Sequence, residues 1–571
     1  MRKLIQNDLS KCVGCNRCIR ACPISEANIV FMEDGRMKVK IDNDKCIACG
    51  ACLATCQHES RTYEDDTEKF IEDLRSGETI SVFCAPAARA NLRDWSRVLT
   101  WLRMLGAKNI FDVSLGADIC TWAYIRWIQQ NNPKTVISQP CPAIVDYILL
   151  HNPSLLPYLS PIHSPMMCTA IYMRRYKNIS GKIAAISPCI AKASEFEETG
   201  NLVSYNVTFK KLEEYIVRNC IMLPPEQGYY DHPLSGLGSV YSYPGGLKEN
   251  VEFFLGKALR VDKSEGQSVV YKALDEFGQE SPEHWPVVFD VLNCPEGCNL
   301  GTGTLHHDRS VFEVGTAMEK ARQESIAGRE REYFDQMFAD FDRDLKLSDF
   351  VRQYYPRPVL KRDITTREME EAFASLGKTD DLSRKFNCGA CGSDTCSDMA
   401  IKIVKKVNIV ENCIQKVHKS MESKHKAVID WSESTKESLH SLATEMNSIY
   451  ESSEYIRGDM GKIREIIRAY ELMAREIDKI ADNIHIISLN ASIEAAKAGD
   501  HGKSFAVVAE AVRSLAGKTQ TAITQIGKSS EMAKDTMTEV EEKVNEIVVK
   551  LGNSSGNIKA IHGSTERLST R

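Results

Sequence analysis

Apolar residues recur at alternating spacings of three and four along two long stretches in the last third of the chain. The first seam comprises Leu439, Leu442, Met446, Ile449, Ile456, Met460, Ile463, Ile467, Tyr470 and Ile477, and the second comprises Val512, Ile523, Ile526, Met537, Val540, Val544, Ile547, Leu551, Ile558 and Ile561. This heptad pattern predicts two coiled-coil helices. Gly499 and Gly502 lie between them and can turn a helix back on itself. We therefore predict a long antiparallel α-helical coiled-coil hairpin over residues 421–571, with arms on the order of 100 Å.

A different pattern occupies residues 78–310, where short apolar runs alternate with helical periodicity. The runs at 80–84, 109–113, 135–138, 182–186 and 287–291 predict buried strands, and the first of them runs into a helix. Alternation of this kind is typical of an α/β domain with mostly parallel strands, whose sites lie in loops at the strand ends. Residues 63–75 and 320–385 have polar, helical patterns, and 354–358 is a predicted linker.

Composition limits the classes of protein. The chain has 571 residues, which exceeds what one core can bury, so several domains are expected. Its 72 Lys and Arg against 78 Asp and Glu give a net charge of −6, which does not indicate nucleic-acid binding. We find neither an eighteen-residue apolar run nor the apolar core of a signal peptide, so we expect a cytoplasmic protein without a membrane span.

Twenty cysteines are many for such a chain, and in a reducing compartment they favour metal ligands over disulfides. Sixteen fall in close-spaced groups or in loops rich in Pro and Gly. The remaining Cys84, Cys120, Cys168 and Cys220 stand singly in apolar surroundings, and we expect them to be buried structural thiols.

The first two groups are repeats of C-x₂-C-x₂-C-x₃-C, at 12–22 and 46–56. They resemble a bacterial two-cluster ferredoxin, an α+β domain, over residues 1–62. The resemblance implies one 4Fe–4S cluster held by Cys12, Cys15, Cys18 and Cys56, and a second held by Cys46, Cys49, Cys52 and Cys22. The Pro usual after the fourth cysteine is replaced by Gln57, which removes no ligand. A pair of zinc sites is the alternative, and His58 is expected to be a surface residue.

Three loops follow the predicted strands: residues 138–143 around Cys141, 187–195 around Cys189, and 290–303 with Cys294 and Cys298. Thiolates at these spacings suit an iron–sulfur site better than a disulfide. The loops are similar to the three signature loops of FeFe hydrogenases, in family order, and the domain is assigned to residues 63–355. The resemblance implies that Cys141, Cys189, Cys294 and Cys298 hold a cubane, with Cys298 bridging to a diiron unit that Lys192 contacts.

Departures from that family bear on activity. Pro140 stands where working hydrogenases have a proton-donating cysteine, Ser187 replaces a methionine, and no carboxylate follows Asp118 where the proton channel of the family has glutamates. Because turnover needs proton-carrying groups within hydrogen-bond reach, we predict slow hydrogen chemistry or binding without turnover, and we leave open whether the protein is an enzyme. The alternatives are a domain with only a structural cubane, and an ordinary surface position for Lys192.

A third group, C-x₂-C-x₄-C-x₁₆-C, comprises Cys388, Cys391, Cys396 and Cys413. It resembles the small single-cluster domain of electron-transfer and corrinoid proteins, which implies a small helical iron–sulfur domain at 356–420 with a third 4Fe–4S cluster. Residues 400–413 are predicted as a helix that returns the fourth thiolate, and 401–421 as the coupling piece to the hairpin. A structural zinc is the alternative.

The hairpin resembles the signalling domain of methyl-accepting chemotaxis receptors. The resemblance implies a dimer, with trimers of dimers, that binds a chemotaxis histidine kinase and its coupling protein. By position Ile486, Leu489, Glu494, Lys497, Val507 and Arg513 match the contact residues of the tip. Lys497 stands where Arg is commoner, and the two are not equivalent at a bidentate contact. A generic dimerising coiled coil is the alternative.

Together these features predict a chemoreceptor that senses hydrogen or redox state through a hydrogenase-type centre and three 4Fe–4S clusters, and that controls a histidine kinase. Two other hypotheses remain: a slow hydrogenase linked to a ferredoxin-type electron partner, and a redox sensor that contains cubanes only.

Overall fold

The computed structural model describes residues 3–92, 94–232, 236–256, 259–304, 310–360 and 362–569. The chain divides into two compact units, one ending at Val417 and the other beginning at His418. All three predicted iron–sulfur segments lie in the first unit, and nearly all of the hairpin lies in the second. Within the described ranges, no helix has both the length and the apolar character that crossing a membrane requires.

The first segment has two similar halves, each with a cysteine run and a short helix. Its elements are strands β1 (Ile5–Asn7), β2 (Asn28–Glu33), β3 (Arg36–Ile41) and β4 (Arg61–Tyr63), and helices α1 (Arg17–Ala21) and α2 (Ala51–Thr55). Strand β1 pairs antiparallel with β4, with Ile5 opposite Tyr63. Strand β2 pairs with β3 through a tight turn at Asp34 and Gly35, both of which have positive φ. The α+β ferredoxin-like fold is therefore present.

The α/β segment contains two parallel sheets. Its strands are β5 (Ile80–Cys84), β6 (Ile110–Asp112), β7 (Val136–Ile137), β8 (Lys182–Ser187), β9 (Tyr205–Thr208), β10 (Val261–Glu265) and β11 (Val288–Leu292). One sheet has the order β6-β5-β8-β9, with Val82 between Ile110 and Ala184, and the other has the order β10-β11-β7, with Val288 between Val261 and Val136. The five predicted strands and their parallel pairing are confirmed. Strands β9 and β10 were not predicted, and β10 is largely polar because it lies at a sheet edge.

Helices cover both sheets and enclose two apolar cores, one against each sheet. They are α3 (Thr67–Arg75), α4 (Ala88–Asn91), α5 (Trp95–Met104), α6 (Val113–Asn131), α7 (Pro142–Leu150), α8 (Pro165–Ile171), α9 (Lys192–Glu198), α10 (Phe209–Arg218), α11 (Gly246–Leu255), α12 (Val270–Phe277), α13 (Val311–Ile326) and α14 (Arg331–Asp344). Helix α6 is buried along almost its whole length, so it has no polar face and no helical periodicity in its sequence.

The third segment is helical, with α15 (Thr366–Ser375), α16 (Asp381–Arg384) and α17 (Cys396–Val404). The predictions of one helix over 400–413 and of a helical coupling piece over 401–421 are wrong. Helix α17 ends at Val404, Lys406 adopts a left-handed conformation (φ 56°), and a 3₁₀ turn at Val410–Asn412 precedes Cys413. The break frees Val407, whose carbonyl accepts a hydrogen bond from Val30 of β2 at 2.9 Å.

The hairpin consists of α18 (Ile414–Lys497) and α19 (Lys503–Ser569), joined by a 3₁₀ turn at Gly499–Gly502. The arms are antiparallel, because Arg457 contacts Asn545 whereas Asp482 contacts Gln520. Gly502 is required at the turn, since a Cβ there would lie 2.1 Å from the carbonyl oxygen of Ala495. The predicted hairpin is thus present, although α18 begins at Ile414, earlier than the predicted boundary at 421.

The two positions of the heptad seam on α18 differ in burial. One set packs between the arms and includes Leu439, Met460, Ile467, Ala481, Ser488 and Ala495. The other set forms an apolar stripe at every seventh residue: Leu442, Ile449, Ile456, Ile463, Tyr470, Ile477 and Ile484, each 37% to 57% exposed. One chain therefore uses half of the seam and leaves the other half exposed to solvent.

Candidate metal centre

Four cysteines from three separate loops line a single cavity. Cys141 follows β7 and caps α7, Cys189 follows β8, and Cys294 and Cys298 follow β11. All four line the cavity. They meet because the carboxyl ends of parallel strands open on the same side of a sheet. The four residues implied by the hydrogenase resemblance are thus brought together, although their role as ligands stays a prediction.

Burial sets the protonation of these thiols. Removal from water raises the pKa of Cys141 to about 11 and that of Cys298 to about 12, and it also raises the pKa of Cys189 and Cys294. The thiols also raise one another's pKa, since neighbouring negative charges repel. A group of buried thiols becomes a group of thiolates only when positive charge binds among them, as a metal cluster provides.

Lys192 also lines the cavity and is buried, so the alternative of an ordinary surface lysine is wrong. At the start of α9, its ammonium forms an ion pair with Glu195 one turn later, at 2.5 Å. It also donates hydrogen bonds to the Pro140 carbonyl at 3.0 Å and to Ser164 Oγ at 3.1 Å. Glu195 fixes the ammonium beside the four thiols. The i, i+3 spacing from Lys192 could have identified Glu195 from the sequence.

The rest of the cavity wall is mainly apolar, with Pro140 and Met166 among its residues. Ser242 is an exception that the sequence did not indicate: its buried Oγ has no hydrogen-bond partner among the described residues. An unpartnered buried hydroxyl costs free energy unless a bound group accepts from it. Four thiols, a fixed ammonium and a free hydroxyl donor fit an anionic iron–sulfur centre.

Positions that depart from the hydrogenase pattern have other partners here. Ser187 Oγ bonds to Asn206 Oδ1 at 2.7 Å, and Asp118 accepts from the Gly238 backbone N–H at 2.8 Å. On α6, Cys120 Sγ lies 3.4 Å from Tyr241 Oη, and Tyr241 lines the cavity. This phenol was missed because it lies far from the three loops in sequence.

Of the four single cysteines, Cys84, Cys120 and Cys168 are buried as predicted. The prediction for Cys220 is wrong, because this thiol is exposed. Cys220 follows the end of α10 in a left-handed turn (φ 51°), which directs it away from the apolar face of that helix.

In the ferredoxin-like segment the two cysteine runs lie close to each other, as the predicted exchange of their fourth cysteines requires. Burial is the main cause that raises the pKa of Cys49 and Cys52, and charge at Cys22 adds to both, so Cys22 lies near the thiols of the second run. Cys12 and Cys15 act in the same way on Cys18. Cys56 lines a pocket together with Lys11, the neighbour of Cys12. The two predicted ligand sets are consistent with this arrangement, and His58 is exposed as expected.

Arg61 is a feature of this segment that the sequence did not indicate. It is buried, and its Nη2 lies 3.4 Å from Cys18 Sγ and 3.0 Å from Asn28 Oδ1. A buried guanidinium beside a thiolate offsets part of the negative charge that a cluster and its ligands carry.

In the third segment Cys391, Cys396 and Cys413 share one core, whereas Cys388 is exposed. Asn387 donates its backbone N–H to Cys396 Sγ at 3.4 Å, and its side chain accepts from the Cys396 N–H at 2.7 Å. The Asn387 contacts hold the start of α17 against the loop that carries Cys388 and Cys391.

Across the described ranges, no three His, Cys, Asp or Glu side chains are grouped closely enough to hold a metal ion. Four thiolates around one zinc would each lie about 2.3 Å from it. In a 4Fe–4S cube each thiolate binds a different iron, so the ligands are spread further apart. The choice of an iron–sulfur cube over zinc stays a prediction from the cysteine spacing in the sequence.

At the hairpin tip, Ile486, Leu489 and Val507 are exposed. Lys497 pairs with Glu494 at 3.0 Å, and Arg513 lies 3.8 Å from Glu510. All six predicted contact residues are therefore at least partly exposed, the three apolar side chains included.

Comparison with known proteins gives four matches along the chain. The family model for a 4Fe-4S dicluster domain matches residues 4–57, and that for the C-terminal domain of the iron only hydrogenase large subunit matches residues 78–302. A model for an Fe-S cluster matches residues 385–415, and the methyl-accepting chemotaxis protein signalling domain matches residues 429–571.

Curated relatives match in the hairpin region. Methyl-accepting chemotaxis protein TlpQ of Pseudomonas aeruginosa is 40% identical over 95 residues, which is 16% of this chain and 12% of that protein. McpA of Bacillus subtilis is 34% identical over 128 residues, which is 22% of this chain and 17% of that protein. The chain thus spans only 12% and 17% of the lengths of these relatives.

Among solved structures, two variants of the FeFe-hydrogenase HydA1 from Chlamydomonas reinhardtii are 16% identical to this chain, with TM-scores of 0.40 and 0.41. Each alignment covers 51% of this chain and 99% of the other. The family matches show that the chain contains a 4Fe-4S dicluster domain at residues 4–57, the C-terminal domain of an iron only hydrogenase large subunit at 78–302, and the signalling domain of methyl-accepting chemotaxis proteins at 429–571.

Proposed function

We propose that this chain senses hydrogen, or the redox state of its iron–sulfur centres, and controls a chemotaxis-type histidine kinase through its hairpin. The observation that carries the proposal is the cavity of Cys141, Cys189, Cys294 and Cys298 with Lys192, in a chain that ends in a chemoreceptor signalling domain. A signalling domain has no role in metabolic turnover, whereas a sensor requires it.

We assign a hydrogenase-type centre to those four cysteines, which would hold a cubane, with Cys298 the residue that would also contact a diiron unit. Three 4Fe–4S clusters are assigned to the sets Cys12, Cys15, Cys18 and Cys56; Cys46, Cys49, Cys52 and Cys22; and Cys388, Cys391, Cys396 and Cys413. All of these thiols except Cys15 and Cys388 are at least partly withdrawn from solvent, which supports the assignment.

A diiron unit bound in the cavity would supply hydrogen binding and cleavage. The residues of the chain set how that chemistry proceeds. The Lys192 ammonium, held by Glu195, presents positive charge to an anionic ligand, and Ser242 Oγ is free to donate a hydrogen bond. The apolar wall limits access of water. Pro140 has no proton to give at the first-loop position, which favours slow turnover and retention of a signalling state.

The hairpin supports the proposed partners. The exposed stripe from Leu442 to Ile484 repeats every seventh residue, which is the spacing that a second hairpin would bury in a coiled-coil dimer. The exposed Ile486, Leu489 and Val507, with Glu494, Lys497 and Arg513, form the proposed surface for trimers of dimers, the histidine kinase and its coupling protein. A ferredoxin-type protein is the proposed electron partner.

Infrared spectroscopy tests the centre. Protein matured anaerobically should show stretching bands of iron-bound CO and cyanide, and these bands should shift under hydrogen. Cys298→Ser should lose the bands, whereas Cys220→Ser, which changes an exposed thiol that does not line the cavity, should retain them. Native protein without bands would exclude both hydrogen-based functions and leave the cubane-only redox sensor.

Kinase activity tests the output. In a reconstituted array with kinase and coupling protein, phosphorylation should change when hydrogen replaces argon, and Cys298→Ser should abolish that change while Cys220→Ser preserves it. Unchanged activity in protein that shows the infrared bands would refute hydrogen sensing.

One observation favours slow hydrogenase activity as a second function. Tyr241 lines the cavity and bears a hydroxyl, which lies 3.4 Å from Cys120 Sγ; this proton-bearing side chain is the candidate to replace part of the role of the missing cysteine. Measured turnover as fast as that of a metabolic hydrogenase would make catalysis, and not sensing, the main function.

A further inference from the structure

The ligand loops of the third iron–sulfur segment lie directly against those of the ferredoxin-like domain. Asn16, between Cys15 and Cys18, donates its amide to the carbonyl of Ala390 at 3.1 Å and to Asn412 Oδ1 at 2.6 Å. Ala390 precedes Cys391 and Asn412 precedes Cys413. A single buried side chain therefore joins the cysteine loops of the two domains.

Close packing surrounds this amide. Gly392 lies against Ile19 so tightly that a Cβ at Gly392 would be 2.9 Å from Ile19 Cβ. Ile409 packs on the core of Ile19, Val30 and Val39, which Cys12 and Cys18 also contact. At the edge, Lys405 forms an ion pair with Glu26. The interface contains apolar, hydrogen-bonded and charged contacts and is continuous.

Asn412 extends the connection into the third segment. Its Nδ2 donates to the Cys391 carbonyl at 3.2 Å and to Asn408 Oδ1 at 2.9 Å. Cys413 and the first turn of α18 follow at once, since the Val417 N–H bonds to the Cys413 carbonyl at 3.0 Å. A displacement of Asn412 would therefore be passed through Cys413 to Ile414, where α18 begins.

The cavity contacts a different part of the ferredoxin-like domain. Asn293 donates to the Cys49 carbonyl at 2.9 Å, and Ala48 lines the cavity. The second cysteine run thus faces the cavity, while the first run, through Asn16, faces the third segment. By these contacts the ferredoxin-like domain lies between the two.

We propose that the site of Cys388, Cys391, Cys396 and Cys413, here called the third site, exchanges electrons with the ferredoxin-like domain. Asn16 is the positioning residue that couples the two sites and links reduction to the start of α18. The step is a transfer of one electron: the site of Cys12, Cys15 and Cys18 is oxidised as the third site is reduced, and no bond or proton changes. The inference rests on the proposed function only in that both sites hold iron–sulfur clusters. In this proposal electrons reach the third site through the ferredoxin-like domain and not directly from the cavity.

The variant Asn16→Asp tests the coupling. Aspartate keeps the size of the side chain and, like asparagine, tolerates the left-handed conformation at this position (φ 63°). Its carboxylate cannot donate to the Ala390 carbonyl or to Asn412 Oδ1. The matched control is Asn132→Asp, at an exposed left-handed position (φ 43°) in the α/β segment.

The measurement is electron paramagnetic resonance of full-length, iron-loaded protein during stepwise reduction with dithionite, together with hydrogen exchange of residues 414–417. In native protein and in Asn132→Asp we expect the reduced ferredoxin-like and third-site signals to broaden each other, and exchange at 414–417 to change on reduction. In Asn16→Asp we expect both effects to be smaller, since the other contacts of the interface remain. The proposal is overturned if, in native protein, the two signals appear during reduction without broadening each other. It is also overturned if Asn16→Asp with full iron content shows the same broadening as native protein.

Dithionite as the reductant separates this test from the proposed function. If hydrogen does not react at the cavity, the dithionite titration still reports whether the two sites interact. If Asn16→Asp does not retain iron, Glu26→Gln weakens the same interface at its edge, away from the cysteines, and should reduce the broadening.

Discussion

The buried pair of Lys192 and Glu195 permits a quantitative prediction. The side chains are only 7% and 4% exposed, and their charges are 2.5 Å apart. In Glu195→Gln the ammonium loses its counter-charge but stays buried. The nearest other charge at Glu195 is the Arg352 guanidinium at 3.8 Å, which is a second cation and cannot compensate. Breaking one side of a buried ion pair costs about 3–5 kcal/mol, and we expect this loss in the free energy of unfolding.

A double-mutant cycle measures the pair. The variants are Glu195→Gln, Lys192→Met and the double replacement, unfolded in urea and followed by tryptophan fluorescence, since five of the six tryptophans precede Val417. The double variant leaves no charge of the pair unpaired, so it should be more stable than the sum of the two single losses predicts, with a coupling energy above about 1 kcal/mol.

The exposed pair Lys211 and Glu214 is the matched control, because it has the same i, i+3 spacing on a helix and a distance of 2.9 Å. Glu214→Gln should cost less than about 1 kcal/mol, since solvent screens the pair. If Glu195→Gln proves as mild as Glu214→Gln, or if the cycle is additive, then burial does not give the Lys192 charge the importance that we infer.

Four further results are expected. Pro140→Cys should raise hydrogen turnover by roughly 10²-fold or more in protein that shows the infrared bands, because it restores a proton donor, and an unchanged rate would contradict the role assigned to Pro140. Ile463→Lys should weaken dimerisation in analytical ultracentrifugation, whereas the neighbouring exposed Lys462→Glu should not; equal effects would refute the stripe as the interface. Val507→Glu should abolish kinase control and leave the dimer intact, and retained control would exclude Val507 from the partner surface. Burial raises the pKa of Asp290 to about 6, above its unfolded value, so the free energy of unfolding should fall by about 3 kcal/mol as the pH rises from about 4 to 6. Asp290→Asn should flatten this part of the stability profile measured in urea. An unaltered slope would assign the pH dependence to other groups.

Much of the fold follows from local patterns. The five apolar runs are strands because β-branched and apolar residues suit buried parallel sheets, and the heptads are helices because their period matches the helical repeat. Strand β10 was missed because its Val-Asp-Lys-Ser-Glu sequence is polar, and only pairing with β11 makes it a strand. The helix predicted over 400–413 was wrong because its end depends on the hydrogen bond between Val407 and Val30, which comes from a distant segment.

Sequence alone indicated which chemistry this chain can contain, since the cysteine spacing predicts iron–sulfur ligands and the heptads with the glycine turn predict a signalling hairpin. Only the tertiary structure decided how these parts are combined. Parallel strands bring four cysteines from three loops to one cavity and bury Lys192 beside them. The Asn16 amide joins loops almost four hundred residues apart. Such contacts depend on packing between elements that are distant in sequence, and local periodicity contains no information about them.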